Sequence, residues 1–234
     1  MSTFLQICQA VGRDCGTISG AVPSTVVSQT GDRQKVVERV QQAHRDIQNL
    51  HANWRWLRAE FTAPTVSGTA RYTSTSAGWA LTRWAEWLRD TSNFRPYSIY
   101  LTSTGVSDEA TLKELAWEDW RARYGRGTQN SSKPAYYAIS PAGEFCLGDK
   151  PDAVYTVNGE YRKGLQTLAV DADEPEMPSR FHRLIEWRAL ALLQQEEEGF
   201  AQAQTYANEF AILLRDLERD QLPLMGIGDV GALA

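Results

Sequence analysis

Two stretches at opposite ends of the chain repeat the same hydrophobic rhythm, and no other feature restricts the fold as strongly. Val36, Val40, Ala43, Ile47, Leu50 and Trp54 follow one another at steps of four, three, four, three and four; Phe200, Ala203, Ala207, Phe210, Leu214 and Leu217 do so at three, four, three, four and three. Such spacing places each set along one face of a helix. Burying one large apolar side chain is worth about 1.5–3 kcal/mol, so neither stripe is left in water. The expectation is that the two ends of the chain meet. Thr30 or Asp32 can cap the first of these helices. Ahead of it, Phe4, Leu5, Ile7, Cys8 and Val11 read as a shorter helix ended by Gly12 or by "DCGTISG". Ahead of the second, Phe181, Leu184, Ile185, Trp187, Leu190 and Leu192 are apolar on more than one side, as in a central helix. Pro178 fits its first turn, Asp171, Asp173, Glu174 and Glu176 lie beside its positive dipole end, and Gly199 breaks or joins the pair.

Between the helical ends the texture changes. Runs such as "RPYSIYLTS", "KPAYYAISPAGEFCLG" and "AVYTVNGEYRKG" are rich in Tyr, Thr and Val and punctuated by Gly, Pro, Ser and Asn, which are strand and turn signals. "SPAG" at 140–143 and "VSG" at 66–68 read as hairpin turns. The stretch "DEATLKELAWEDWRARYG" reads as a strand near Leu112 to Trp117 followed by a short helix from Trp120 to Tyr124. Helices, then strands, then helices argue for an α+β fold: N- and C-terminal helices forming one helical bundle, with an antiparallel β-rich domain inserted in it. The expected boundaries are 1–56 for the N-terminal helices, 57–170 for the insert, 171–220 for the C-terminal helices and 221–234 for an extended tail.

Chemistry is thinly represented. Cys8, Cys15 and Cys146 form no C-x-x-C pair, and His44, His51 and His182 lack metal-ligand spacing, so no metal and no cofactor is expected. "MGIGDVGALA" contains G-x-G-x-x-G at Gly226, Gly228 and Gly231, but no strand leads in and three residues follow, so it does not read as a dinucleotide site. Eight tryptophans invite a sugar-stacking reading, although core and interface use is commoner. Glu86, Glu114, Glu118 and Asp119 could supply a glycosidase pair only at a separation that sequence does not give. No catalytic motif is present, and the chain is not expected to be an enzyme. The longest apolar run, residues 184–193, contains a Glu and an Arg and falls short of the roughly 20 residues of a membrane span. The first residues lack a secretory pattern, so synthesis in cytoplasm is expected. Net charge is −5, yet residues 171–220 alone hold twelve acidic and five basic residues. An acidic surface disfavours nucleic-acid binding there.

Several stretches in order resemble the head-to-tail adaptor, or head completion, proteins of tailed bacteriophages. These are "FLQICQAVGRDCG", "NWRWLRAEFTAPTVSGTARYT", "SIYLTSTGVSDEATLKELAWEDWRARYG", "KPAYYAISPAGEFCLGDKPDAVYTVNGEYRKG", "MPSRFHRLIEWRALALL" and "LLRDLERDQLP". The resemblance implies a structural virion protein at the neck: a homo-oligomeric ring, typically of twelve copies, docked under the portal protein. It would extend the DNA channel and present a platform to a tail, nozzle or stopper protein. Such adaptors insert C-terminal segments into portal grooves, which points here to Leu222, Pro223, Leu224, Met225 and Ile227 as portal-binding anchors. Duplex DNA would pass without specific binding, and Glu196, Glu197 and Glu198 are the candidates to line the channel as an acidic, repelling surface. The residues leave one alternative open, a Trp-rich β module that binds carbohydrate or a tail protein without ring assembly.

Overall fold

In the computed structural model, which describes residues 2–16, 22–91 and 94–223, the chain is mixed α and β, with five α-helices and two sheets among the described residues. It divides into two units, residues 1–57 together with 165–234, and residues 58–164.

In the first unit, α1 (Phe4–Asp14) opens on a capping box: the Thr3 hydroxyl accepts from Gln6 N at 3.3 Å while Thr3 N donates to Gln6 Oε1 at 3.0 Å. Gly12 does not end this helix; it is buried inside it. Helix α2 (Gly31–Leu50) starts after an extended Thr30 whose hydroxyl makes no capping bond, and Asp32 instead pairs with Lys35 at 3.4 Å. Val36, Val40, Ala43 and Ile47 are fully buried, whereas Leu50 is 46% exposed. The helix ends there, and Trp54 returns to the core from the following turn, its indole N–H donating to the Ile47 carbonyl at 3.1 Å.

Helix α4 (Arg183–Glu196) buries Leu184, Ile185, Ala189, Leu190, Ala191 and Leu193, on more than one side, because α1, α2 and α5 (Phe200–Gln221) all pack against it. One continuous core holds Phe4, Ile7 and Val11 of α1, the α2 stripe, the α4 leucines and Leu217 of α5. Helix α5 lies at the outside: Ala203 and Leu217 are buried and Phe210, Leu213 and Leu214 half-buried, but Phe200 is 68% exposed, off the stripe that sequence assigned it. Gly199 stands between α4 and α5 where there is no room for a side chain: a Cβ there would lie 2.3 Å from Gln194 Oε1, and the Gln194 amide is committed to the Cys15 carbonyl at 3.0 Å.

The acidic segment before α4 does not serve that helix. A 3-10 turn at Ser179–Phe181 intervenes, and the segment caps α1 instead: Phe4 N donates to Asp173 O at 2.7 Å and Leu5 N to Asp171 O at 3.3 Å. Free N–H groups of a first helical turn need acceptors, and a backbone carbonyl serves as well as a side chain.

The second unit is two sheets face to face. The first has strand order β1-β9-β4-β5, from β1 (Arg58–Pro64), β9 (Tyr155–Lys163), β4 (Tyr97–Leu101) and β5 (Ala110–Thr111), with β3 (Trp84–Trp87) also paired to β9. The second runs β2-β8-β7-β6, from β2 (Arg71–Tyr72), β8 (Phe145–Gly148), β7 (Tyr136–Ile139) and β6 (Lys113–Glu114). "SPAG" is the hairpin turn between β7 and β8, with Gly143 N on Ser140 O at 2.9 Å. "VSG" is a turn but not a hairpin, since β1 and β2 belong to different sheets. The chain also changes sheet at Leu112, and in doing so lays β6 parallel to β7, a departure from the all-antiparallel expectation. Helix α3 (Trp117–Arg123) begins three residues earlier than the sequence suggested. It covers the outer face of the second sheet, where Trp120 packs on Ala138 and Cys146. Between the sheets lies an aromatic core: Phe61, Tyr72, Trp79, Trp87, Tyr97, Tyr137, Phe145, Tyr155 and Tyr161.

Candidate functional site

Four of the eight tryptophans are core residues. Trp54, Trp79, Trp87 and Trp120 are at most 2% exposed. Each donates its ring N–H to a backbone carbonyl: Trp79 to Pro64 at 2.9 Å, Trp87 to Gly143 at 2.8 Å, Trp120 to Leu147 at 3.0 Å, and Trp54 as above. Buried indoles need such partners, and rings enclosed in this way offer no stacking platform. Trp117 and Trp187 are half-buried under guanidinium groups, those of Arg71 and Arg183.

Of the carboxylates considered as a catalytic pair, Glu86 and Glu114 are tied down as well. Glu86 pairs with Arg162. Glu114 pairs with Arg89 at 2.7 Å and exchanges backbone bonds with Asp90, Asp90 N to Glu114 Oε2 at 2.8 Å and Glu114 N to Asp90 Oδ2 at 3.1 Å. The buried Tyr137 hydroxyl donates to the same two groups, at 2.8 and 3.2 Å, and burial together with these acceptors pushes its pKa far up. This network clips the 88–91 segment to β6 and β7. Glu118 and Asp119 lie exposed in the first turn of α3. Among the described residues no three metal-ligating side chains converge, and no helix is long and apolar enough to cross a membrane.

Several side chains anchor the place where the chain leaves α5. The Asp220 carboxylate pairs with Arg180, and its backbone carbonyl accepts from Arg55 Nη1 at 3.4 Å. Hydrogen bonds from Gln221 and Arg180 hold the Asp220 carboxyl below its ordinary range. Two residues back, Glu218 meets His51 at 2.8 Å. Leu222 then leaves the helix in extended conformation and is half-buried against the unit's own core, while Pro223 is exposed. Leu222 is thus a clamp for α5, and Leu224, Met225 and Ile227 lie outside the described residues. Glu196, Glu197 and Glu198 are exposed at the α4–α5 junction, where Glu196 pairs with Arg39 and Glu198 takes a left-handed conformation.

A family model described as SU10 adaptor protein matches residues 2–227. The chain belongs to this family of phage head-to-tail adaptors. The family is a structural one of the virion neck rather than a class of enzymes, and its members meet portal and tail proteins. No curated protein matches the adaptor. Its sequence gave no sign of the anchoring set Arg55, His51 and Arg180 around Asp220 and Glu218, because these partners lie more than 150 residues apart or on a 3-10 turn without helical rhythm.

Proposed function

We propose that copies of the chain, twelve in number, form a ring docked beneath the portal, extend the DNA conduit and present a platform to the tail, nozzle or stopper protein. The match to the adaptor family over residues 2–227 carries this reading. In it, helices of residues 1–56 and 171–220 act as one bundle, the β unit is inserted between them in the chain, and residues past α5 reach the portal. The anchored end of α5 supports a directed exit: Asp220 and Glu218 are held by three side chains, so the following apolar residues start from a fixed point. Leu222 and Pro223 set the exit, and Leu224, Met225 and Ile227 engage a portal groove. Glu197 and Glu198 face the conduit, where repulsion of phosphates lets duplex DNA slide.

The test is a deletion of residues 224–234, which spares the Leu222 clamp. Far-UV circular dichroism should be unchanged while co-sedimentation with purified portal rings is lost. Undiminished portal binding by the truncated chain would overturn the tail assignment.

A further inference from the structure

Strand β1 is an edge: it pairs with β9 and, among the described residues, with no strand on its other side. The hydrogen bond from Thr65 N to Tyr155 O at 2.8 Å fixes which of its residues face which way. The register is unbroken from Pro64 to Arg58, and backbone groups alternate along an antiparallel ladder. Those of Ala59, Phe61 and Ala63 therefore turn to β9, and those of Arg58, Glu60, Thr62 and Pro64 turn away from it. The far side of β9 agrees, since Thr102 N donates to Val154 O at 3.2 Å and so places the even-numbered groups of β9 toward β4.

A bare edge is a template for another strand, and chains commonly blunt it. This one is blunted at one end only. Pro64 has no N–H to offer, its carbonyl accepts from the Trp79 indole at 2.9 Å, and Gly78 passes so close that a Cβ there would lie 2.6 Å from Pro64 Cγ. Arg58, Glu60 and Thr62 have no such cover. Among the described residues nothing is bonded to their outward N–H and C=O groups, and Glu60 and Thr62 are exposed.

Side chains on the same residues select the strand that fits. On the outer face of the sheet Arg58 stands opposite Arg162 and Glu60 opposite Glu160. With Arg95 in the adjoining depression and Glu86 paired to Arg162, the charges on this face balance, so it attracts no class of ion at long range. The order along the edge is what discriminates. Like charges directly opposite destabilise a strand pair and opposite charges stabilise it, so a strand laid beyond β1 fits when it brings a basic residue to Glu60 and an acidic one to Arg58. Antiparallel to β1, that strand reads basic, any residue, acidic. β1 itself reads so at Arg58–Glu60. In a pair of copies aligned that way, however, Thr62 would face Trp56, which lies in the 3-10 turn Arg55–Leu57, so a second copy matches only part of the edge.

We propose that β1 takes up an extended segment of another protein as a further antiparallel strand, with a basic residue facing Glu60, an acidic one facing Arg58, and main-chain hydrogen bonds to Arg58, Glu60 and Thr62. Recognition of this kind draws affinity from the backbone and selectivity from alternate side chains.

The test uses amide NMR of the full chain and the synthetic peptide TVKVEVT, blocked at both ends. In the free chain the amide protons of Glu60 and Thr62 should exchange with solvent far faster than those of Phe61 and Ala63. The peptide should shift the Glu60 and Thr62 amide signals and slow their exchange. Thr62→Pro removes an outward N–H without touching the ladder and should weaken binding about tenfold. Thr62→Val keeps the N–H and loses the same hydroxyl bond to Asn158, so it should bind as the wild type does; circular dichroism checks that both variants fold. The peptide TVEVKVT, with the charge order reversed, should bind about tenfold more weakly than TVKVEVT. Equal protection of the four amides, no binding of TVKVEVT, or equal binding of the reversed peptide or by Thr62→Pro would overturn the proposal. Self-association of the wild-type chain that Thr62→Pro abolishes would overturn the choice of occupant in favour of a second copy. None of these readouts involves portal, so the ring reading stands or falls separately.

Discussion

Replacing Gly159 with alanine puts a methyl group where the structure has no room for one. Gly159 sits in β9 between Phe61 of β1 and Tyr97 of β4, and a Cβ built on it would lie 2.2 Å from Tyr97 Cδ1 and 3.0 Å from Phe61 Cε1. Ordinary contact begins near 3.4 Å, so the Tyr97 ring would have to retreat by more than an ångström. It has nowhere to go. Tyr137 and Phe145 each stand 4.8 Å from its centre in edge-on contact, and its hydroxyl is held by the Leu88 carbonyl at 3.0 Å. Overpacking of this kind costs about 1–3 kcal/mol, and losing the hydroxyl bond about 1 kcal/mol more. Alanine recovers about 0.5–1 kcal/mol of backbone entropy relative to glycine. Gly159→Ala should therefore destabilise the β unit by about 1–3.5 kcal/mol. Near-UV circular dichroism reports the aromatic core directly, and urea titration followed at that signal gives the midpoint shift. A loss below about 0.5 kcal/mol, against the overpacking range above, would show that Tyr97 is not pinned and that the packing argument fails.

Acid should weaken the helical unit through His182, which is 2% exposed, accepts from Ser2 N at 3.4 Å and donates to the Met177 carbonyl at 3.1 Å. Burial lowers its folded pKa below 6.5, so the unfolded chain binds the proton first: this stabilisation is complete above about pH 7 and is lost as pH falls through the ordinary imidazole range. The loss has a ceiling of about 1.4 kcal/mol per pH unit, and His182→Gln should flatten it; an unaltered pH profile in the variant would refute the assignment. Burial also pushes the Cys8 and Cys146 thiols up to about 12, and Cys15 is only 2% exposed. A thiol reagent at pH 8 should label no cysteine in the native chain and three after denaturation, and rapid native labelling would contradict the buried placement.

The parts of the fold legible in the sequence were those whose signal is local. Val36 to Ile47 sit on one buried face because a 3.6-residue period is written in nearby residues of the same helix. The same rule overreached at the stripe ends, where Leu50 and Phe200 lie at helix termini and face solvent. Strand texture showed that residues 58–163 are β-rich, but β1 pairs with β9 about a hundred residues away, and nothing in either strand announces that partner. For the same reason the confrontation of Glu60 with Glu160 could not be read from sequence. Asp171 and Asp173 preceded one helix and were assigned to it, whereas their carbonyls cap another that lies about 170 residues earlier. The Glu196–Arg39 pair was likewise invisible, since its partner lies on α2 with no sequence proximity.

The most direct measurement is the mass of the complex formed when the purified chain is added to portal rings. The account predicts a single species in which twelve copies of the 26.2 kDa chain join one portal ring. A portal ring that carries no copies, or scattered single copies at saturation, would contradict it.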